Sequence, residues 1–520
     1  MEPYPARADS ERLAAVSAEQ AARFGDVLRS AGFAAAAGNL PMEVEGRARG
    51  GRNIPRVMRM TAAGRPLDTF VRLFLMGVPI GLREARAAMA PVPLEEWVEA
   101  GLVEADGDSV SGLVALYLYE GLILAADKPE LLDRGAGPDI VSGITNSTVS
   151  LALFLVRRGF RNILDLGAGC GVMGFLAARA GGRLLATDIN ARAIRFAQFN
   201  ARMNGIRDAE FATGDTFEPA AGRKFDLMVA NPPCVIGPGV RYAYRDSGME
   251  LDGLCRKIVG QAPEFLEEGG LFQSTAEWPD FAGVDWKERM AGWFRNSGCD
   301  ALVLRVRTKS ALEHAEETVY ETDVIDAEVQ SRVYGEYADY FERLHVASIS
   351  EGLIAMRRRS GAPSGPGENW VRFEELPPRP LEPFGDAVWR MFEARDALDR
   401  MKDDSGLLEW KLRMAPGLAL ETARTWTGEA WSDASYWLRQ GTGFRFQASV
   451  DAHVANMLKA FEGPKTVREV LEEVAGRLGV SFDAVARGSV AVLREMLQRG
   501  FLVGESDLQH QGSSRVTMAD

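Results

Sequence analysis

The alternation of apolar and polar positions changes character several times along the 520 residues. Over 10–38, Ala, Leu and Val recur at helical spacing against Glu and Arg, as in SAEQAARFGDVLRSAGF, which predicts amphipathic helices. Residues 67–112 predict two short helices, a third ending at Trp97–Gly101, and short apolar runs joined by a turn at Asp106–Asp108. That order suggests a winged-helix-like unit inside an N-terminal module of residues 1–140.

From about 150 the pattern becomes strand, glycine turn, helix, repeated. NILDLGAG, RLLATDIN, AEFATGD, FDLMVANPP and GGLFQSTAEW predict strands, and VMGFLAARAG, ARAIRFAQFNARMNG and LDGLCRKIVGQAPEFLEEGG predict helices between them. Strands alternating with helices of this length predict an α/β fold, a parallel sheet wound by right-handed crossovers. CDALVLRVRT and ISEGLIAMRRR bring the sheet to seven strands, with a helical insertion at 311–345. Its Tyr320, Tyr334, Tyr337, Tyr340 and Phe341 are expected to pack locally. The α/β domain is assigned to 141–360. The Pro- and Gly-rich 361–385 reads as a linker. Residues 386–505 read as a second winged-helix-like module, with 464–503 as three helices and a strand, and 506–520 as a disordered tail.

Composition narrows the function. A 46% hydrophobic content supports more than one core. No run approaches the roughly eighteen uninterrupted apolar residues of a bilayer helix, so no membrane partner is expected. Sixty Lys and Arg against 73 Asp and Glu leave a net charge of −13, which disfavours a nucleic-acid coat. A local cluster, Arg47, Arg49, Arg52, Arg56 and Arg59, reads either as a solvated loop or as a phosphate contact. Cys170, Cys234, Cys255 and Cys299 form no CxxC pair, and His314, His345, His453 and His510 have no ligand spacing, so no metal is expected. The N-terminus lacks an apolar signal core, which makes the cytoplasm the expected compartment.

The candidate chemistry lies in 160–280. A strand ending in Asp165, Gly167, Ala168, Gly169, Cys170 and Gly171 and opening a helix lets a ligand approach the backbone and meet free N–H groups. The next strand ends in Asp188 and Ile189, where a carboxylate reaches a ribose diol. This pair indicates a nucleoside cofactor but is shared with dinucleotide sites. Asp215 and Thr216 end the third strand, beside an adenine amino group. Asn231, Pro232, Pro233 and Cys234 end the fourth.

This set resembles the class I S-adenosylmethionine-dependent methyltransferases, specifically the amino-methylating branch with an N-P-P-[FY] motif. The resemblance spans about 150–280, and DSGMELDGLCRKIV is similar to the segment after the motif in protein glutamine methyltransferases. The ribosomal-RNA guanine-N2 methyltransferases are similar too. It implies a Rossmann-like fold and S-adenosyl-L-methionine as cofactor. It also implies that the Asn231 side-chain oxygen and the Pro232 carbonyl accept hydrogen bonds from one NH₂ group and aim its lone pair at the methyl. The Pro-Pro pair stiffens that loop. Cys234 departs from the motif's aromatic fourth residue. A stacking surface for a planar acceptor would then come from Trp278, Tyr242 or Tyr244, although core packing is the commoner fate of such a Trp. Cys234 as a nucleophile is disfavoured, because no His flanks it. The expected acceptor is a protein or peptide side-chain nitrogen. The alternatives are an RNA base, a small-molecule amine, or a non-catalytic binding role for the same scaffold.

Overall fold

The computed structural model describes residues 7–35, 54–129, 131, 137–320, 326–360, 369–376, 382–401 and 403–504. They cluster into two compact units: Met1–Ala152 with Arg157–Glu374, and Leu153–Val156 with Glu375–Asp520.

The first unit is built on an eight-stranded mixed sheet. Its strands are β1 (Asn162–Leu166), β2 (Arg183–Asp188), β3 (Ala209–Thr213), β4 (Phe225–Ala230), β5 (Leu266–Phe281), β6 (Cys299–Ser310), β7 (Val346–Arg358) and β8 (Val371–Glu375). The order across the sheet is β8-β6-β7-β5-β4-β1-β2-β3. Strands β1 to β5 pair parallel, while β7 runs antiparallel between β5 and β6. The helices of this α/β domain are α1 (Asn146–Phe154), α2 (Val172–Ala178), α3 (Ala191–Met203), α4 (Gly253–Phe265), α5 (Trp286–Phe294), α6 (Ala311–Tyr320) and α7 (Ala327–Arg343). All seven expected strands form; the central ones carry apolar runs buried on both faces, as in the unbroken buried stretch of β4 from Leu227 to Ala230, whereas β3 at the edge is partly exposed.

Two boundaries differ from expectation. The sheet has eight strands, because Val371–Glu375, expected as linker, adds an edge strand. The backbone N–H of Ala301 donates to Trp370 O at 2.8 Å, and Val371 and Phe373 pack on the cluster containing Trp286 and Phe294. A Pro- and Gly-rich composition hides these two apolar positions. The N-terminal module is also part of the first unit and not separate from it. Its helices Ser10–Ala15 and Ala18–Ser30 lie on α3, where the Arg202 guanidinium donates to Ala14 O and Val16 O at 2.7 and 2.8 Å.

Residues 66–112 form three helical segments and a three-stranded sheet in which Ile80–Gly81 joins the Val103–Asp106 and Ser109–Gly112 hairpin. A second hairpin, Ala115–Tyr119 with Leu122–Ala126, follows. Its free edge is covered by α3: Asn200 and Asn204 exchange paired hydrogen bonds of 2.7–3.0 Å with the backbones of Ala125 and Ile123. Four residues apart on one helix face, the two amides act as a third strand. Of the arginine cluster, Arg56 and Arg59 are exposed on the helix Ile54–Met60, and Arg47, Arg49 and Arg52 lie outside the described residues.

The insertion forms α6 and α7, and its aromatics divide. Tyr337, Tyr340 and Phe341 are buried against Ile236 and Ile349, whereas Tyr320 is exposed.

The second unit has two three-stranded sheets. One joins Lys411–Met414 to Lys465–Thr466 and Leu502–Gly504. The other holds the hairpin Leu418–Trp426 and Trp431–Gln440, extended by Gln447–Val450. Within 464–503 two helices, Val467–Leu478 and Phe482–Gln498, precede the last strand, and not three. Capping by Thr466 and Ser481 and the left-handed Gly479 leave room for two only. The tail 506–520 lies outside the described residues. Among those described, no helix is long and apolar enough to cross a membrane.

Candidate active site

The glycine loop after β1 is shaped from below. Asp165 is 1% exposed, and its carboxylate accepts from the Gly174 N–H at 2.7 Å inside the first turns of α2. Burial pushes its pKa up to about 7, against the opposing pull of that hydrogen bond. Asp165, expected as a cofactor contact, is buried at the end of β1 with its carboxylate on the Gly174 N–H. Above it, Gly167 (φ 73°) and Gly169 (φ 56°) are left-handed, and a Cβ at either would meet nothing within 4 Å. The open space lies on the side a ligand would occupy. Gly171 (φ 94°) is different, because a Cβ there would strike the Phe175 ring. The Gly167 and Ala168 N–H groups both donate to Thr187 O at 2.8 Å, tying the loop to β2.

Asp188 at the end of β2 closes this cradle. One carboxylate oxygen accepts from Gly169 N at 2.9 Å and the other from Asn190 N at 2.8 Å. Desolvation raises its pKa, partly offset by these two bonds. Ile189 next to it is 65% exposed, an apolar side chain at the rim with no core to fill. Asp215 follows β3 and pairs with Lys257 of α4 at 3.1 Å, and Thr216 beside it is left-handed at φ 42°. The open glycine backbone, the rim carboxylate and the exposed Ile189 fit an adenosyl group. The cradle, Ile189, Asp215 and Thr216 together present open glycine backbone, carboxylates and an apolar side chain.

The β4 end carries the second half. Asn231 follows Ala230, and its side chain is held at both ends. Nδ2 donates to Ser147 Oγ at 3.2 Å and Thr148 Oγ1 at 3.3 Å, while Oδ1 accepts from Thr275 Oγ1 at 2.8 Å. Pro232 is buried, and Pro233 and Cys234 are half-buried. Beyond them the Ile236 N–H donates to Glu277 Oε2 at 3.1 Å, and His314 lies on the Ile236 carbonyl at 3.0 Å. Burial, then Cys234 and Glu351 nearby, push the Glu277 pKa well up, and burial pushes His314 down to about 4. Cys234 packs on the core cluster that includes Cys255. Hydrogen bonding between the two thiols, then burial, raises the Cys234 pKa, which makes it a poor nucleophile.

The proposed stacking residues separate. Trp278 is wholly buried, stacked on Trp286 with centroids 5.7 Å apart and seated over Gly352. It offers no face to an acceptor, because β5 buries its side chain between sheet and α5. Tyr242 and Tyr244 stack on each other at 5.8 Å and pack on Leu131 and Ile140. Their loop is fixed by the buried Arg245–Asp246 pair and by the Ala243 N–H on Pro138 O. They stand beside the 137–141 strand-to-helix approach, half-buried.

Sequence reasoning missed Ser147, Thr148, Thr275, Lys257 and Glu277. The hydroxyl-rich ITNST at the start of α1 was the available signal. Thr275 and Glu277 were hidden inside a strand.

Residues 143–278 match the methyltransferase small domain, and 45–113 and 390–504 match two domains of unknown function. The release factor glutamine methyltransferase of Yersinia pestis is 32% identical over 209 residues, 38% of this chain and 70% of that protein. That of Xylella fastidiosa is 32% identical over 136 residues, 24% of this chain and 50% of its own. The ribosomal RNA small subunit methyltransferase C of Alcanivorax borkumensis is 28% identical over 114 residues, 22% and 31% of the two chains. The chain spans about half the length of the curated relatives it matches.

Proposed function

Because the chain belongs to the class I S-adenosylmethionine-dependent methyltransferases, we propose that it methylates an amino or amide nitrogen of a protein or peptide side chain. The observation that carries this reading is Asn231-Pro232-Pro233 at the end of β4, one strand from the glycine cradle, with the Asn231 amide anchored on both sides. When bound, S-adenosylmethionine supplies a sulfonium methyl that is already activated. The chain's work is then positioning. Gly167, Gly169, Asp188, Ile189, Asp215 and Thr216 hold the adenosyl group. Asn231 Oδ1 and the Pro232 carbonyl accept the two N–H bonds of the acceptor. Amide and aryl amino nitrogens are poor nucleophiles because their lone pairs are delocalised. Two fixed acceptors twist and aim that lone pair, and no strong base is required.

A protein acceptor is favoured by the net charge of −13 and by relatives named for release factor glutamine methylation. The relative named for ribosomal RNA supports the RNA base as second reading. On this view the protein acts in the cytoplasm, the helix-and-hairpin unit at 67–112 is a winged-helix-like packing unit, and the module at 386–505 is winged-helix-like. The test is transfer of label from S-[methyl-³H]adenosylmethionine into a cell lysate. Label in hydrolysed protein supports the reading, and label confined to RNA or to small molecules refutes it.

A further inference from the structure

We infer that Thr275, together with Ser147 and Thr148, is a positioning residue that holds the Asn231 amide between two elements so that it meets the methyl acceptor in one place. The inference rests on the amino-nitrogen reading above and adds to it.

Strand β5 outruns its neighbour. Ser274 pairs with Ala230, the last residue of β4, so β5 carries Thr275 past the end of that strand, opposite Asn231. Thr275 is 5% exposed and its hydroxyl donates to Asn231 Oδ1 at 2.8 Å. Two residues on, on the same strand face, Glu277 holds the Ile236 N–H. The loop from 231 to 236 is thus pinned at both ends by one strand.

The other side comes from the first turn of α1. Thr145 Oγ1 is 2.8 Å from Ser147 Oγ and 2.9 Å from Thr148 Oγ1, and the latter two receive the Asn231 Nδ2 protons. Thr148 is 3% exposed. An asparagine amide has two donors and two acceptor lone pairs. Here both donors face hydroxyls and one lone pair is engaged by Thr275. What is left toward the pocket is a single lone pair. An unbraced amide could turn over and offer N–H instead, which would suit an oxygen acceptor such as a carboxylate or phenolate. In this structure the three hydroxyls hold the amide with Nδ2 toward Ser147 and Thr148 and Oδ1 toward Thr275.

The test uses the full chain, with soluble protein from a strain lacking this chain as the methyl acceptor. Maximal rate and half-saturating protein concentration are read separately, and S-adenosylhomocysteine affinity is measured by calorimetry. Thr275→Val is expected to lower the maximal rate roughly ten- to a hundredfold, the scale of a misplaced catalytic contact, with cofactor affinity within about twofold of wild type. Thr275→Ser restores the rate. Thr148→Val, from a different element, shows the same pattern. Because the effect passes through Asn231, Thr275→Val adds nothing in an Asn231→Ala background. A second readout needs no turnover: in protein labelled with ¹⁵N-asparagine, the Asn231 side-chain amide protons exchange slowly, and faster in Thr148→Val. A wild-type rate in Thr275→Val, or a loss additive with Asn231→Ala, overturns the brace while leaving the nitrogen reading standing. Full activity of Asn231→Ala overturns both.

Discussion

Asp165 and Asp188 end neighbouring strands and do different work. Asp188 meets the open side of the cradle, so Asp188→Ala should weaken S-adenosylhomocysteine binding by about 1.5–3 kcal/mol. Calorimetry giving equal affinities would remove Asp188 from the site. Asp165 faces inward, and burial raises its pKa from 3.8 to about 7. Between about pH 4 and 7 the unfolded chain has lost that proton while the folded chain keeps it. Stability supplied by the protonated form is therefore complete below pH 4, falls through this window, and levels off above pH 7. Asp165→Asn cannot titrate. Its Tm, relative to wild type, should climb from pH 4.5 to 7 and then stay constant, and scanning calorimetry showing a pH-independent difference would contradict this. Cys234 stands where an aromatic is usual and packs beside Cys255. A tyrosine there overfills the wall, at about 1–3 kcal/mol, so Cys234→Tyr should bind cofactor normally and lose methyl transfer. A gain in rate would mean that the acceptor is flat and stacks.

At the scale of elements, the helix α3 has a task beyond covering the sheet. Asn200 is fully buried and bonds the Ala125 backbone on both sides and the Cys170 carbonyl at 3.0 Å, which joins the second N-terminal hairpin to the glycine loop. Asn200→Leu keeps the volume but leaves these backbone groups without partners. Each buried, unpaired group costs about 1–3 kcal/mol, so urea unfolding should show a loss of at least about 2 kcal/mol. A change below about 0.5 kcal/mol would show that the hairpin does not depend on this edge. Strand β5 has a comparable double role, pairing parallel with β4 and then antiparallel with β7 far beyond it.

For the whole molecule, charge sets the expectation. The net charge is −13, and of the arginines from Arg47 to Arg59, Arg56 and Arg59 are exposed. RNA should bind weakly and be released steeply as salt rises. A mobility shift that persists with sequence selectivity at physiological salt would reverse the order of the two acceptor readings. Leu412, Phe461 and Leu493 are buried in the second unit.

The strands and helices from 160 to 280 were legible because each buried strand is an unbroken apolar run and each turn is marked by Gly or Pro. The glycine loop, Asp188 and Asn231-Pro232-Pro233 were legible for the same reason: their chemistry depends on local backbone, and local backbone is written in consecutive residues. The hairpin Leu418–Trp426 with Trp431–Gln440 escaped because it is largely exposed and lacks alternation. Strand β8 escaped because two apolar positions in a Pro-rich stretch acquire meaning only beside Trp286 and Phe294. Trp278 lies in a segment that reads as core more readily than as rim, and the packing of α5 made it core. The hold on Asn231 unites residues 147, 148 and 275, which no periodicity connects. Sequence determined which groups could react. Tertiary structure decided which way they face, because a hydrogen bond between residues 84 or 44 positions apart exists only once the sheet has set its register.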